Sequence, residues 1–184
     1  MDMGLTGRIA IITGGSEGIG KAAALAMVRE GARVAIAARR PDILEAAAEE
    51  IRTATAGSSG GEIVGIPCDV RDEAQVGALV AQVAERWGTV DILVNNAGTS
   101  AAAPFENVTD EMWSGDMRLK INGAIYCSRA VLPFMKDAGR GRIINVTTPG
   151  GKAPGASSLP TSLSRAAGLA LTKAMSKDLA EHNI

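Results

Sequence analysis

A glycine-rich segment near the amino terminus contains the residue types that bind a phosphate group. Gly14, Gly18 and Gly20 have the spacing G-x-x-x-G-x-G, directly after an apolar run and directly before an amphipathic stretch. Glycines permit a tight turn and let backbone amides approach a pyrophosphate, and the start of a helix adds partial positive charge. Glycines also serve ordinary turns, so the spacing alone is weak evidence. Its place between a strand and a helix favours a dinucleotide-binding turn, formed by Gly14, Ser16, Glu17, Gly18, Ile19 and Gly20.

The end of the next apolar run carries arginine where many dinucleotide-binding domains carry an acid. An acidic residue about twenty positions beyond the glycine turn would bind the ribose 2′-hydroxyl of NAD. Arg39 and Arg40 occupy this region instead, and the planar guanidinium of Arg39 suits a 2′-phosphate. We therefore expect NADP to be favoured over NAD. The alternative is that both arginines are solvated loop charges.

The elements that must position these residues alternate along the chain. Short apolar runs predict five strands, at residues 8–12, 33–37, 62–66, 91–94 and 142–146. Apolar positions that recur every three or four residues predict helices, at residues 18–30, 44–51, 76–83, 111–136 and 160–181. Residues 57–61 are all glycine or serine and are expected to form a flexible turn. This alternation is typical of an α/β fold with a doubly wound parallel sheet in three layers, α/β/α. With no linker or repeat, we expect residues 1–184 to form a single domain.

Composition excludes several classes of partner. The chain has 19 basic and 20 acidic residues, so it lacks the charge excess that binds nucleic acid or a membrane surface. No apolar run is long enough to cross a membrane, and the first eight residues are not a signal peptide. Cys68 and Cys127 lack metal-binding spacing. We expect free thiols in a cytoplasmic protein, with a disulfide as the weaker alternative.

A second motif follows the fourth predicted strand and leads to a family resemblance. Residues 95–98 read Asn-Asn-Ala-Gly. With the glycine turn, this motif resembles the Rossmann-type short-chain dehydrogenase/reductase family, whose members interconvert a carbonyl and an alcohol with NAD(P). The resemblance implies that Asp69 and Val70 flank the adenine and that Asn95, Ala97 and Gly98 line the adenosine ribose. It also implies a small-molecule carbonyl or alcohol substrate and a homodimer or homotetramer.

The family's catalytic set is an asparagine in the long helix, a serine after the fifth strand, and a Tyr-x-x-x-Lys motif. The resemblance assigns these positions to Asn122, Thr148, Thr161 and Arg165. The hydroxyl of Thr148 can still donate to a carbonyl oxygen. An aliphatic hydroxyl cannot be tuned as the tyrosine phenol is, whose pKa of ~10 can be shifted toward neutrality, and Arg165 stays charged. We therefore expect weak activity at most.

Several alternatives remain open at this point. Tyr126 and His182 could replace the missing acid, although packing and surface roles are the ordinary ones for such residues. The chain ends where the family's sixth strand would begin, so we expect a fragment that lacks the carboxyl-terminal part of the family fold. The runner-up function is a catalytically silent dinucleotide-binding or regulatory protein. A third reading is an inactive fragment.

Overall fold

The fold is built on one five-stranded parallel sheet. The computed structural model describes residues 3–57 and 60–184. Its strands are β1 (Ile9–Thr13), β2 (Arg33–Ala38), β3 (Glu62–Pro67), β4 (Ile92–Asn95) and β5 (Arg142–Asn145). They pair in the order β3-β2-β1-β4-β5. The expected strands are therefore confirmed, with ends that shift by one residue, and Ser58 and Ser59 of the expected turn lie outside the described residues.

Within the described residues, six α-helices connect and cover the strands. They are α1 (Gly18–Arg29), α2 (Pro41–Ala54), α3 (Glu73–Trp87), α4 (Asp110–Met117), α5 (Gly123–Asp137) and α6 (Thr161–Asp178). Short 3-10 turns occupy Phe105–Asn107, Pro149–Gly151 and Ala180–His182. Pro160 directly precedes α6 and ends the loop from β5. The doubly wound α/β architecture expected from the sequence is confirmed.

The sheet separates two hydrophobic layers, and β1 shows how. Its side chains alternate between the two faces, as the twofold period of a strand requires. Ile9 and Ile11 pack into the layer formed with α3 and α5, whereas Ala10 and Ile12 pack into the layer formed with α1 and α2. All of β1 is buried, which is why residues 9–12 are continuously apolar rather than alternating.

The strand order places a crevice at the carboxyl end of β1. The chain runs outward from β1 to β2 and β3, then crosses back so that β4 pairs with the other side of β1. Loops leaving β1 and β4 therefore diverge to opposite faces, and ligands of open α/β sheets bind at this switch point. The glycine turn follows β1, and residues 95–98 lie at the end of β4.

The long helix expected at residues 111–136 is interrupted. A π-helical turn, Arg118–Asn122, joins α4 to α5. Such turns insert one extra residue into the helical ladder and occur frequently at functional sites. The extra residue changes which side chains point to the interior, and here it buries Lys120. Sequence periodicity alone treats this region as one regular helix.

Both cysteines are free and buried in the layer against α3 and α5. Burial raises the pKa of Cys68 to about 11, with Asp69 and Asp72 adding to the effect, and raises that of Cys127 to about 12. No helix in the described ranges is long and apolar enough to cross a membrane.

These thiols should therefore resist alkylation in the folded protein. Only the thiolate reacts, so labelling at mildly alkaline pH is expected to be on the order of 100-fold slower in the native state than in denaturant. Time-resolved maleimide labelling followed by mass spectrometry measures both rates. Rapid native labelling of either cysteine would show that this layer opens easily.

Candidate active site

An open cleft of about 430 Å³ lies at the carboxyl edge of the sheet. This volume is within the range of ligand sites in proteins. Twelve of the sixteen cofactor-binding and catalytic residues predicted from the sequence line it: Gly14, Ser16, Glu17, Gly18, Ile19, Arg39, Asp69, Val70, Ala97, Gly98, Thr148 and Arg165. The other four, Gly20, Asn95, Asn122 and Thr161, are not on its wall. Most of the predicted cofactor-binding residues thus lie in one cleft with two residues of the predicted catalytic set, Thr148 and Arg165.

The glycine turn is fixed by backbone contacts and stays open toward the cleft. The amide of Gly14 donates to Ala37 O at 2.7 Å. A Cβ at Gly14 would lie 2.9 Å from Ala97 Cα, and one at Gly20 would lie 2.4 Å from Gly14 O, so both positions require glycine for close packing. Gly18 differs, because its φ is +54° and a Cβ there would meet no protein atom within 4 Å. The space beside Gly18 is therefore free for a ligand.

The segment after β4 holds this turn in place. Thr13 Oγ1 accepts from the amides of Asn96 and Ala97, each at 3.1 Å. The Asn96 amide side chain donates to Thr13 O and Gly14 O, both at 3.0 Å. Asn95 instead points away from the cleft and donates to Asn145 Oδ1 at 2.9 Å. Asn95 does not line this cleft, whereas Asn96, whose side chain lies on the opposite face of the strand end, does.

The two arginines after β2 have different surroundings. Arg40 donates to the carboxylate of Glu17 across the mouth of the cleft. Arg39 lines the cleft, and within residues 3–57 and 60–184 it has neither a hydrogen-bond partner nor an ion-pair partner. The electrostatic effect of Arg39 contributes to lowering the pKa of Asp69, so the two charged groups face the same space. Arg39 is available to an anionic ligand, whereas Arg40 is already neutralised.

Asp69 and Val70 follow the end of β3 and line the cleft. The carboxylate of Asp69 is held by the guanidinium of Arg71, with a closest distance of 2.5 Å. This hydrogen bond is the main reason that the pKa of Asp69 falls below its ordinary value. Val70 is buried, and its side chain would be only 2.9 Å from a Cβ placed on Gly123. Val70 therefore sets the distance between this wall of the cleft and α5.

Thr148 and Arg165 form the far end of the cleft. Thr148 is exposed and, in the part of the chain that the structure describes, its hydroxyl has no hydrogen-bond partner. Arg165 donates from Nη1 to Val146 O at 2.6 Å. Its Nε is buried and has no partner among the described residues. A Cβ at Gly98 would lie 3.0 Å from Arg165 Nη2, so the guanidinium packs directly against the segment after β4.

A buried polar cluster lies behind Arg165. Lys120 Nζ is 2.5 Å from Asp116 Oδ1 and 3.2 Å from Thr161 Oγ1. Ser164 Oγ is 2.5 Å from Asp116 Oδ2, and Thr161 Oγ1 also accepts from the amide of Ala101 at 2.9 Å. The side chains of Lys120 and Asp116 are only 2% and 1% exposed.

Lys120, and not Asn122, is the residue of this segment that contacts Asp116 and Thr161. Asn122 is half-buried at the end of the π turn, and among the described residues its side chain makes no hydrogen bond. The π turn explains this placement, because it rotates Lys120 toward α6. One signal was present in the sequence: Asp116 and Lys120 are opposite charges four positions apart, a spacing that places both on one helix face.

Charge balance in this cluster affects Lys120. Burial lowers its pKa, the hydrogen bond and charge of Asp116 oppose that change, and Arg165 lowers the pKa further. Burial also lowers the pKa of Arg165, and the charge of Asp116 opposes that change. Two cations thus share one carboxylate, so the cluster has a surplus positive charge while Lys120 is protonated.

The two other residues considered as proton donors lie elsewhere. Tyr126 packs on α5 against the hydrophobic layer beside α3. His182 lies in the 3-10 turn after α6, with Nε2 3.5 Å from a carboxylate oxygen of Glu181. Neither residue lines the cleft.

Curated relatives match nearly the whole chain. A sorbitol dehydrogenase of Cereibacter sphaeroides is 40% identical over 184 residues, which are 99% of this chain and 68% of that protein. A 2,3-dihydro-2,3-dihydroxybenzoate dehydrogenase of Bacillus subtilis is 32% identical over 181 residues, 98% of this chain and 67% of its own. For a granaticin polyketide synthase ketoacyl reductase of Streptomyces violaceoruber, this chain covers only 64% of that protein's length. The chain therefore spans about two thirds of the length of these relatives.

Solved structures and a family model agree with these matches. The L-sorbose reductase from Gluconobacter frateurii, complexed with NADPH and L-sorbose, superposes with a TM-score of 0.94 at 32% identity, covering 100% of this chain and 68% of that one. An NAD⁺-bound xylitol dehydrogenase gives 0.91 at 29% identity, covering 98% and 68%. The model of the short chain dehydrogenase family matches residues 8–184. The chain therefore belongs to the short chain dehydrogenase family.

Proposed function

We propose that this protein is an NADP-preferring oxidoreductase that interconverts a small carbonyl compound and an alcohol. The observation that carries the proposal is the single cleft, which joins a glycine turn left open at Gly18 to the polar groups of Thr148 and Arg165. The family membership supports the same reaction type.

The residues present fit a dinucleotide. Gly18 leaves room for a pyrophosphate next to the amino terminus of α1, where helix amides favour an anion. Arg39 would pair with the 2′-phosphate. The unpartnered Nε of Arg165 would be satisfied by an acceptor of the nicotinamide ribose. When bound, NADPH supplies the hydride, and this chain's residues orient it and the substrate.

The substrate oxygen would bind between Thr148 and α6. The Thr148 hydroxyl is free to donate to a carbonyl oxygen and would polarise it. Thr161 and Arg165 hold the positions of the family's tyrosine and lysine, with Arg165 acting on the ribose rather than on a proton because it stays charged. Asn122 does not line the cleft. Asn96, Ala97 and Gly98 would close the cleft over the adenosine.

Arg39→Ala should remove the preference for the phosphorylated cofactor. The loss of one charge-assisted hydrogen bond is expected to weaken NADPH binding by about tenfold or more, while NADH binding changes little. Fluorescence titration with both cofactors measures the two affinities. Arg40→Ala is the matched control, since Arg40 is paired with Glu17. Equal losses for both cofactors would contradict this assignment of Arg39.

Activity is tested by carbonyl reduction with the 184-residue chain. Loss of NADPH absorbance in the presence of L-sorbose or a simple cyclic ketone should depend on both the carbonyl compound and the protein. NADPH binding without turnover would favour a catalytically silent dinucleotide-binding protein. The observation that favours this second function is Thr161, whose hydroxyl is a poor acid in place of the family's tyrosine.

We also propose assembly into a homodimer or homotetramer in the cytoplasm. On α6, Leu163 is 49% exposed, and β5, at the edge of the described sheet, carries Ile144 at 50% exposure. Apolar helix faces and unpaired edge strands favour pairing with another chain. Light scattering should report a mass of two or four chains, and a stable monomer would oppose the proposal.

A further inference from the structure

The carboxylate of Asp69 is paired on both of its oxygens with one guanidinium. Arg71 Nε lies 2.9 Å from Oδ1 and 3.0 Å from Oδ2, and Arg71 Nη2 lies 2.5 Å from Oδ2. The backbone amide of Arg71 also donates to Oδ1 at 3.0 Å. A guanidinium that contacts both carboxylate oxygens makes a strong, charge-assisted pair. Arg71 is not one of the residues that line the cleft, so any effect that it has there is exerted through Asp69.

Asp69 and Arg39 act on the same part of the cleft. Both residues line it, and the charge of Arg39 contributes to lowering the pKa of the Asp69 carboxyl. The side chain of Asp69 is only 23% exposed, so water screens its charge less than that of a fully solvated group. Without Arg71, the negative charge of Asp69 would therefore repel an anion bound by Arg39.

We infer that Arg71 is a second determinant of cofactor choice, because it neutralises Asp69 and so allows a 2′-phosphate to bind at Arg39. This inference rests on the proposed preference for NADP. The 2′-phosphate, with about two negative charges at neutral pH, is the group that NADPH has and NADH lacks. An unpaired Asp69 would consequently weaken NADPH binding and affect NADH binding much less. Arg71 is thus a positioning residue that balances the charge of Asp69 and touches neither cofactor nor substrate.

The ion pair of Glu17 and Arg40 provides a comparison within the same cleft. Both residues line the cleft, but the side chain of Glu17 is 63% exposed. Water and dissolved ions screen such a charge effectively. Removal of Arg40 should therefore affect a bound phosphate much less than removal of Arg71, although each change leaves one carboxylate without its cation.

Variants that change one charge at a time test the inference through the NADPH affinity divided by the NADH affinity. Arg71→Gln should lower this ratio about threefold to tenfold, as expected for repulsion between partly screened charges. Arg71→Lys keeps a cation beside Asp69 and should retain most of the ratio. Asp69→Asn keeps an oxygen that can accept from the Arg71 amide but removes the charge, so it should raise the ratio. In the double variant Asp69→Asn with Arg71→Gln, the ratio should return close to that of the unmodified chain.

Titration calorimetry with each cofactor at low and high salt measures these ratios, and circular dichroism identifies the folded variants. The effect of Arg71→Gln should shrink at high salt, because dissolved ions screen the repulsion. In the protein without cofactor, ¹³C NMR should show a higher pKa for the Asp69 carboxyl in Arg71→Gln than in the unmodified chain, since the neighbouring cation is lost. A purely structural role of Arg71 would weaken both cofactors alike and leave the ratio unchanged. Asp69→Asn, with its opposite sign, tests the same claim if Arg71→Gln does not fold.

The outcomes separate this inference from the proposed function. A ratio that Arg71→Gln leaves unchanged, or that Arg40→Ala lowers equally, would overturn the role of Arg71. An Asp69 pKa that is the same with and without Arg71 would overturn it as well. An unmodified chain that binds neither cofactor, or that binds NADH more tightly, would instead overturn the proposed function.

Discussion

Replacing Gly18 with valine is expected to lower NADPH affinity by about 100-fold or more, because a branched side chain would fill the pyrophosphate's approach to the turn. A Cβ at Gly18 meets no protein atom within 4 Å, so the added side chain would project into the open cleft rather than into the core. The positive φ of +54° adds a backbone strain of about 1–3 kcal/mol. We expect the variant to fold despite this strain, so that its binding can be measured. Calorimetric titration with NADPH measures the effect.

Gly77→Val is the matched control for this prediction. Gly77 lies on α3, and a Cβ there also meets no protein atom within 4 Å, but it is far from the cleft. This variant should bind NADPH as the unmodified chain does. A folded Gly18→Val variant with unchanged affinity would show that the glycine turn has only a structural role.

Replacing Lys120 with methionine should destabilise the fold by about 3–5 kcal/mol, because it leaves the carboxylate of Asp116 buried without its cation. The two side chains are 2% and 1% exposed, so water cannot compensate for the lost partner. Urea denaturation gives the free energy of unfolding. The large effect follows from burial and would not be expected for an ion pair on the surface.

Two further variants establish that this loss comes from the unpaired charge. Adding Asp116→Leu to Lys120→Met removes the carboxylate as well and should recover much of the stability. Lys21→Met is the surface control, since Lys21 pairs with the exposed Glu50 and should change the free energy of unfolding little. If Lys120→Met were as stable as the unmodified chain, the cluster behind the cleft would not be buried in solution.

The strands and the glycine turn could be predicted because both depend on short local patterns. Buried parallel strands are continuously apolar, and the turn needs glycine at positions that the backbone geometry dictates, as Gly14 and Gly20 show. These requirements are visible in neighbouring residues. The fold class followed from their alternation along the chain.

The polar groups of the site are harder to predict from the sequence because their contacts depend on side-chain orientation. Consecutive side chains at a strand end point to opposite faces, so a difference of one position decides that Asn96 and not Asn95 lines this cleft. The π turn has a similar effect at Lys120, since one inserted residue rotates the helix. An insertion of this kind leaves no periodic pattern in the sequence from which it could be predicted. The position of Thr161 was assigned in register with the family, but its partners Ala101 and Lys120 come from distant segments.

The cleft is expected to bind a nicotinamide dinucleotide and to prefer the phosphorylated form. Isothermal titration of the unmodified chain with NADPH and with NADH tests it most directly. We expect saturable binding of one NADPH per chain, with NADH bound about tenfold or more weakly, since Arg39 would find no 2′-phosphate. Absence of saturable binding to both cofactors, or tighter binding of NADH, would contradict the account.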